Sequence, residues 1–279
     1  NRVYIIGNGY IGDYMSANKP ENVQFVGVCR SDKNNCDKNI RLDISKDNQS
    51  LMKLIDKKSC VVYLTPPQQN GNTDTVLKNF LSNINKENIN HIVYISTSGV
   101  YGDKKDGLVD ESAMVDPLTE RAMRRVNAES QIKKSGLRYT ILRVPGIYGK
   151  GRLPLKRIKE RLPLIKEKIC KHTNLIHAND LAKIIIMCID NADVNDLTIN
   201  VSDGTAIKTT AYYLYIYDQL GLEYPDFIDY ETANEKYDTK RLSFLNESRI
   251  LDTSLMNKIF PDVIEFKDIK KGIRDSLEI

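Results

Sequence analysis

Long apolar runs are missing from this chain of 279 residues: none approaches the roughly 20 residues that a bilayer span requires, so no membrane segment is expected. Paired cysteine spacing is missing too. The five cysteines (Cys29, Cys36, Cys60, Cys170, Cys188) are odd in number and scattered, which argues against a disulfide framework, a zinc site or a redox motif; reduced thiols and no metal are expected. A large excess of one charge is absent as well. Lys and Arg total 41 against 37 Asp and Glu, and the lysines are spread along the chain rather than gathered into a stripe, which leaves nucleic acid a poor candidate partner. No internal repeat and no low-complexity linker interrupts the chain, and its length allows one large α/β domain or two modest ones. The opening "NRVYIIGNGYIG" lacks the charged, apolar and cleavage regions of a secretory signal, and a cytoplasmic location is expected.

What is present is alternation. Apolar, β-branched runs ("RVYIIG", "VQFVGVC", "CVVYLT", "HIVYIST", "RYTILRV", "LTINVSD") are separated by segments with helical spacing, among them "LMKLIDKK", "TVLKNFLSNINKEN" and "TERAMRRVNAESQIKKSG". Near-continuous apolar strands suit a parallel sheet covered on both faces, so the expected class is α/β, a doubly wound parallel sheet. Residues 1–150 are expected to form mainly the doubly wound domain. Residues 151–279 are expected to form mainly a smaller substrate-side region, with a returning strand near 197–201 and C-terminal helices. Within it, "GKGRLPLKRIKERLPLIKEKIC" reads as a basic helical insertion punctuated by Pro154 and Pro163.

Gly7, Gly9 and Gly12 stand in G-x-G-x-x-G spacing directly after a strand and before a helix, the context that the dinucleotide fingerprint requires. Gly7 would allow the tight turn, Gly9 the approach of a diphosphate, and Gly12 close packing of helix on strand. The second strand ends at Arg30, where a ribose-binding acid would otherwise be expected. A guanidinium there, with Ser31 and Lys33 beside it, favours a 2′-phosphate and hence NADP, while Asp32 keeps NAD open.

Four further segments, in order, resemble the extended short-chain dehydrogenases, the NAD(P)-dependent epimerase/dehydratase family: "RLDIS", "STSGVYGD", "LRVPGIYGKGR" and "LIHAND". The resemblance implies a cofactor lying along Gly7, Asn8, Gly9, Tyr10, Ile11 and Gly12, then Arg30 and Ser31, Asp43 and Ile44, Leu64, Thr65 and Pro66, Arg121, and Pro145, Gly146 and Ile147. It also implies that residues 1–150 are mainly an NAD(P)-binding Rossmann domain, with Thr97 as the catalytic hydroxyl. The family's next signature carries a tyrosine and a lysine four residues apart. This chain keeps Pro117, Thr119 and Glu129 in register but has Arg121 and Arg125 at those two places, a pattern similar to the tyrosine-lacking YeeZ-type branch.

Arginine holds its protons through any plausible cycle, so acid/base work would have to move elsewhere. Tyr101, Tyr148 and His177 are the expected acid/base candidates, with Thr97 as a hydrogen-bonding partner, and Arg121, Arg125, Arg152 and His177 are the expected substrate contacts. The bland reading pairs Arg125 with Glu129 and Arg124 with Glu120 on an exposed helix face. The expected function is an NADP-dependent oxidoreductase or epimerase-like enzyme acting on a small polar, acidic or phosphorylated substrate. The alternative is a catalytically silent NADP-binding sensor or regulatory protein. The resemblance also implies a homodimer, formed through the helices around residues 76–88 and 119–135.

Overall fold

The computed structural model describes residues 1–278, the side chain at position 240 excepted. The first half supplies strands β1 (Arg2–Ile6), β2 (Gln24–Cys29), β3 (Lys38–Arg41), β4 (Ser59–Tyr63), β5 (Ile89–Thr97), the short β6 (Leu108–Val109) and β7 (Tyr139–Val144). Helices α1 (Tyr10–Ala17), α2 (Asn48–Leu54), α3 (Thr75–Asn83) and α4 (Glu120–Lys133) lie between them. The second half supplies β8 (Gly146–Tyr148), β9 (Leu164–Ile165), β10 (His172–His177), β11 (Leu197–Asn200), β12 (Ala206–Lys208), β13 (Phe227–Ile228) and β14 (Ile250–Leu251). Its helices are α5 (Leu155–Lys159), α6 (Ala178–Cys188), α7 (Thr209–Leu220), α8 (Tyr230–Lys236), α9 (Thr239–Asn246), α10 (Ser254–Ile259) and α11 (Ile269–Leu277).

Seven strands form one parallel sheet in the order β3-β2-β1-β4-β5-β7-β11. Side chains alternate across it, and each face is sealed by its own helices. Tyr4 and Ile6 join Tyr63, Tyr94 and Ile141 against α2, α3 and α4, while Val3 and Ile5 join Phe25, Val62 and Leu142 against α1, α6 and α10. Burial on both faces is why the strands read as unbroken apolar runs. The strand order reverses between β1 and β4, and the crevice at the carboxyl ends there is where doubly wound sheets place their ligands.

The last main-sheet strand, β11, is donated from beyond residue 150, so the C-terminal half is woven into the sheet as well as capping it. Tyr148, Ile158, Tyr212, Ile216 and Ile273 form a separate core there under α5, α7 and α11. The basic segment after residue 150 is less helical than its composition suggests. Pro154 stands at the N-cap of a five-residue helix, and Pro163 precedes the strand β9. No helix of the described residues is long and apolar enough to cross a membrane. Of the large apolar side chains exposed among the described residues, none falls on α3 or α4, the pair through which the resemblance would form a dimer.

Candidate functional site

The glycine-rich turn is built by a conformation few residues tolerate. Gly7 has φ +87°, and a Cβ on it would stand 2.6 Å from the Thr65 backbone nitrogen at the end of β4. Gly7 and Asn8 donate their N–H groups to the Val28 carbonyl, fastening the turn to β2. The Asn8 side chain is fully buried and bonded to Asn35; a Cβ on Gly12 would meet its Oδ1 at 2.0 Å. Gly12 is therefore required by a buried amide rather than by strand packing alone. Above Gly9 the space is open, with only the Gly7 carbonyl oxygen near, at 3.7 Å. The helix that follows has no side-chain cap, whereas α3, α4 and α6 are capped by Asp74, Thr119 and His177. An open cradle above uncapped helix N–H groups fits a dinucleotide diphosphate.

The remaining predicted cofactor residues lie at the same carboxyl edge. Arg30 is exposed at the end of β2 and acts on Asp43, whose carboxyl is held below its usual range chiefly by hydrogen bonds from Ser45, with Lys46 and Arg30 adding to the effect. Ser31 follows Arg30 and is exposed, and Ile44 is buried beside Asp43. Two nearby charges are already engaged. Lys33 Nζ lies 2.6 Å from Asp13 Oδ1, and Asp32 pairs with Arg41 at 3.2 Å. Lys33 is thus a brace for α1 rather than a spare charge for a phosphate. Leu64, Thr65 and Pro66 continue β4 out of the sheet, with Leu64 N donating to the Ile6 carbonyl.

A cleft of about 230 Å³ opens at the ends of β5 and β7. Thr97, Ser98 and Gly99 at the end of β5, Thr119, Arg121 and Ala122 at the start of α4, and Pro145 and Gly146 after β7 form one side. His172, Thr173 and Asn174 of β10, with Ser243, Phe244, Glu247, Ser248 and Arg249, form the other. Thr97 Oγ1 accepts the Gly99 N–H at 3.2 Å, which leaves its hydroxyl hydrogen for a ligand oxygen. The Arg121 guanidinium lies 4.4 Å from the centre of the Phe244 ring. Arg249 is buried, donating to the Ser98 carbonyl at 3.0 Å and to Glu247 at 2.9 Å, while its Nε has no partner. Burial pushes the Glu247 carboxyl up, against the pull of Arg249 and then Arg121.

Five of the predicted site residues are turned elsewhere. Tyr101 is fully buried, its hydroxyl donating to Asn200 Oδ1 at 2.7 Å beneath the Arg143 guanidinium. Tyr148 is in the α7–α11 core, and a Cβ on Gly272 would stand 2.1 Å from its oxygen; burial raises its pKa. Neither phenol reaches the cleft, so neither is the expected acid or base. His177 is a cap: Nδ1 accepts the Asn179 N–H at 3.2 Å, Nε2 faces Asp275 at 3.3 Å, and burial lowers its pKa. Arg125 donates to Tyr94 Oη at 2.9 Å and to the Ile95 carbonyl at 3.0 Å. The latter lies beyond the last β4–β5 pair, Tyr63 with Tyr94, so Arg125 answers a carbonyl that the sheet leaves open. Arg152 lies over the Tyr10 ring rather than in the cleft.

The exposed-face pairing is half right. Arg124 comes within 3.7 Å of Glu120, although it is buried and also donates to the Gly71 carbonyl. Glu129 instead binds Arg143, 2.8 Å away in a buried ion pair. Asp110 closes its own turn through Ser112, and Glu111 accepts the Asn200 N–H at 2.7 Å. Sequence reasoning missed His172, Glu247 and Arg249, the titratable groups of the far wall. "KRLSFLNESRIL" is distinctive, but nothing local in it says that it folds over β5. Among the described residues no His/Cys/Asp/Glu group could hold a metal ion.

No curated protein matches the chain. Solved structures share its fold over nearly their whole length. A conserved protein of unknown function from Silicibacter pomeroyi DSS is 21% identical, with TM-score 0.81, covering 99% of this chain and 98% of its own. The Bordetella bronchiseptica enzyme WbmH, in complex with NAD+, is 19% identical, with TM-score 0.79 and coverage of 99% and 97%. The UDP-glucuronic acid 4-epimerase of Bacillus cereus, in complex with NAD, is 18% identical, with TM-score 0.77 and coverage of 100% and 98%. Residues 30–192, more than half of the chain, match the NAD(P)H-binding family; the glycine turn lies outside that span. The chain belongs to the NAD(P)H-binding family, on a Rossmann fold that it shares with the NAD-bound 4-epimerase and WbmH.

Proposed function

We propose that the protein is an NADP-dependent oxidoreductase or epimerase-like enzyme whose substrate is a small polar acid or phosphorylated compound. The observation that carries this reading is the cleft at the ends of β5 and β7, which Arg121 and Arg249 line together with a set of hydroxyl and amide groups. Two guanidiniums against one carboxylate, Glu247, leave a positive balance that an anion would answer. The neighbour solved with UDP-glucuronic acid and NAD binds an acidic ligand on the same fold, which is in keeping with that charge. The cofactor, when bound, exchanges hydride at its nicotinamide ring. The chain's part is to hold the substrate and its protons. Thr97 donates to a substrate oxygen, Arg121 and Arg249 bind its charged end, and Glu247, with its raised pKa, exchanges the proton that a tyrosine handles elsewhere in the family.

Arg121→Ala is expected to weaken binding of small acids about 10-fold or more, as removal of a charge-assisted contact does. Arg125→Ala should leave that affinity nearly unchanged and lower stability instead, because it removes the partner of the Ile95 carbonyl and Tyr94 hydroxyl. Calorimetry with glucuronate and sugar phosphates, alongside thermal melting, separates the two; equal ligand loss in both variants would reject the assignment of the cleft.

Arg30 supports NADP, since among its neighbours Asp32 is taken by Arg41 and Lys33 by Asp13. Arg30→Ala is expected to reduce affinity for NADPH by about one to two decades and to leave NADH unaffected. Equal affinity of the wild type for the two cofactors would refute the preference.

A further inference from the structure

The turn after β8 is fastened to the first turn of α1, beside the glycine cradle. Tyr10 Oη donates to the Lys150 carbonyl at 3.0 Å, and the Lys150 N–H donates to Tyr14 Oη at 3.2 Å. Gly149, at φ +154°, permits the approach: a Cβ there would stand 2.6 Å from Tyr10 Oη. The Arg152 N–H closes the turn onto the Gly149 carbonyl at 3.0 Å, and the Arg152 guanidinium lies 4.0 Å from the centre of the Tyr10 ring. Among the described residues, the Arg152 guanidinium has no carboxylate within ion-pair distance and makes no side-chain hydrogen bond. Lys150, the other cation of this turn, is paired with Glu278.

A guanidinium stacked on an aromatic face keeps its in-plane N–H groups available, and their planar fork matches phosphate oxygens. Tyr10 is the first residue of the uncapped helix, next to the open space above Gly9. We propose that Arg152 is a ligand of the cofactor diphosphate, a charge brought to the glycine cradle by a turn of the C-terminal half. The inference rests on the dinucleotide reading of that cradle. It moves Arg152 from substrate to cofactor, and it makes Gly149 and Tyr10 positioning residues that aim the side chain.

The test is titration of NADPH and, separately, NADH into the 279-residue chain and its Arg152→Met variant, with adenosine 2′-monophosphate as a competitor. Methionine keeps an apolar contact on Tyr10 and removes the charge. Both dinucleotides are expected to weaken about 10- to 100-fold, while adenosine 2′-monophosphate, which lacks the diphosphate, changes by less than about twofold. Arg152→Lys should recover part of the loss. Unchanged dinucleotide affinity in Arg152→Met overturns the proposal and leaves the cofactor site standing. Parallel weakening of all three ligands shows that the turn was undocked, and overturns it as well. A wild-type chain that binds neither dinucleotide removes the cradle's function, and the proposal with it.

Discussion

Glu129→Gln is expected to lower the free energy of unfolding by about 3–5 kcal/mol, the cost of leaving a buried charge without its partner. Arg143 and Glu129 are each about 5% exposed in their side chains and meet in two parallel hydrogen bonds, Nε to Oε1 at 3.1 Å and Nη2 to Oε2 at 2.8 Å. Ser96 Oγ donates to the same carboxylate at 2.6 Å, and the Arg143 guanidinium lies 4.8 Å from the centre of the Tyr101 ring. Burial lowers the Arg143 pKa, but the hydrogen bonds and charge of the Glu129 carboxylate outweigh it and shift the pKa upward. The pair joins α4 to β5 and β7 beneath the cleft, so its loss should also loosen Thr97 and Arg121. Urea unfolding with linear extrapolation measures the effect. Arg143→Met should cost a similar amount, and the double variant Glu129→Leu/Arg143→Met less than the sum of the singles, because two apolar side chains leave no orphan charge. A cost for Glu129→Gln below about 1 kcal/mol would mean that the pair is solvated and unimportant.

The second large effect is a pH dependence centred on Asp203, just after β11. Burial raises its pKa to about 7, only partly offset by hydrogen bonds from the Thr205 N–H and hydroxyl, and the charge of Asp180 adds to the rise. Its Oδ2 has no hydrogen-bond partner, and the side chain faces Asp180 and the buried Tyr148 phenol. A raised carboxyl pKa means that the folded chain keeps a proton which the unfolded chain has already released. The stabilisation is therefore complete below about pH 4, the unfolded value, and is lost as pH rises towards 7. Fully expressed, the loss is up to about 4 kcal/mol. Asp180 and Asp74, also raised by burial, act in the same direction, whereas His177 and His91, lowered by burial, weaken the fold as pH drops below about 6.5. Subtraction against Asp203→Asn isolates one group. The stability of wild type relative to that variant is expected to fall steadily between pH 4.5 and 7.5, and a difference that stays flat across this range would remove Asp203 as its source.

The sequence by itself determined the elements whose signals are local. The glycine spacing after β1 specifies a turn because Gly7 must take a positive φ and leave room for Thr65, both consequences of a missing Cβ. Unbroken apolar strands announce a sheet buried on both sides, and Thr119 announces the start of α4 because its hydroxyl accepts the Ala122 N–H three residues on. Arg121, the second residue of that helix, lines the cleft. Arg125, one further turn along, shows where register stops. Helical spacing offered it Glu129, but an exposed pair at that spacing contributes only about 0.3–0.5 kcal/mol. In the folded chain, Glu129 binds Arg143 in a buried pair and Arg125 goes to an open carbonyl of β5.

The tertiary structure alone decided these partnerships, and with them the burial of Tyr101, Tyr148 and His177, the arrival of Glu247 and Arg249 opposite Thr97, and the seat of Arg152 on Tyr10. The physical reason is range. Backbone conformation and capping are settled by atoms within a few residues, whereas a side chain's partner is settled by competition among every group that packing brings within reach. Those groups lie far apart in the chain: Tyr101 meets Asn200, Arg249 meets Ser98 and Tyr10 meets Lys150. A buried polar group must take whichever of them satisfies it, because leaving it unpaired costs more than any local preference.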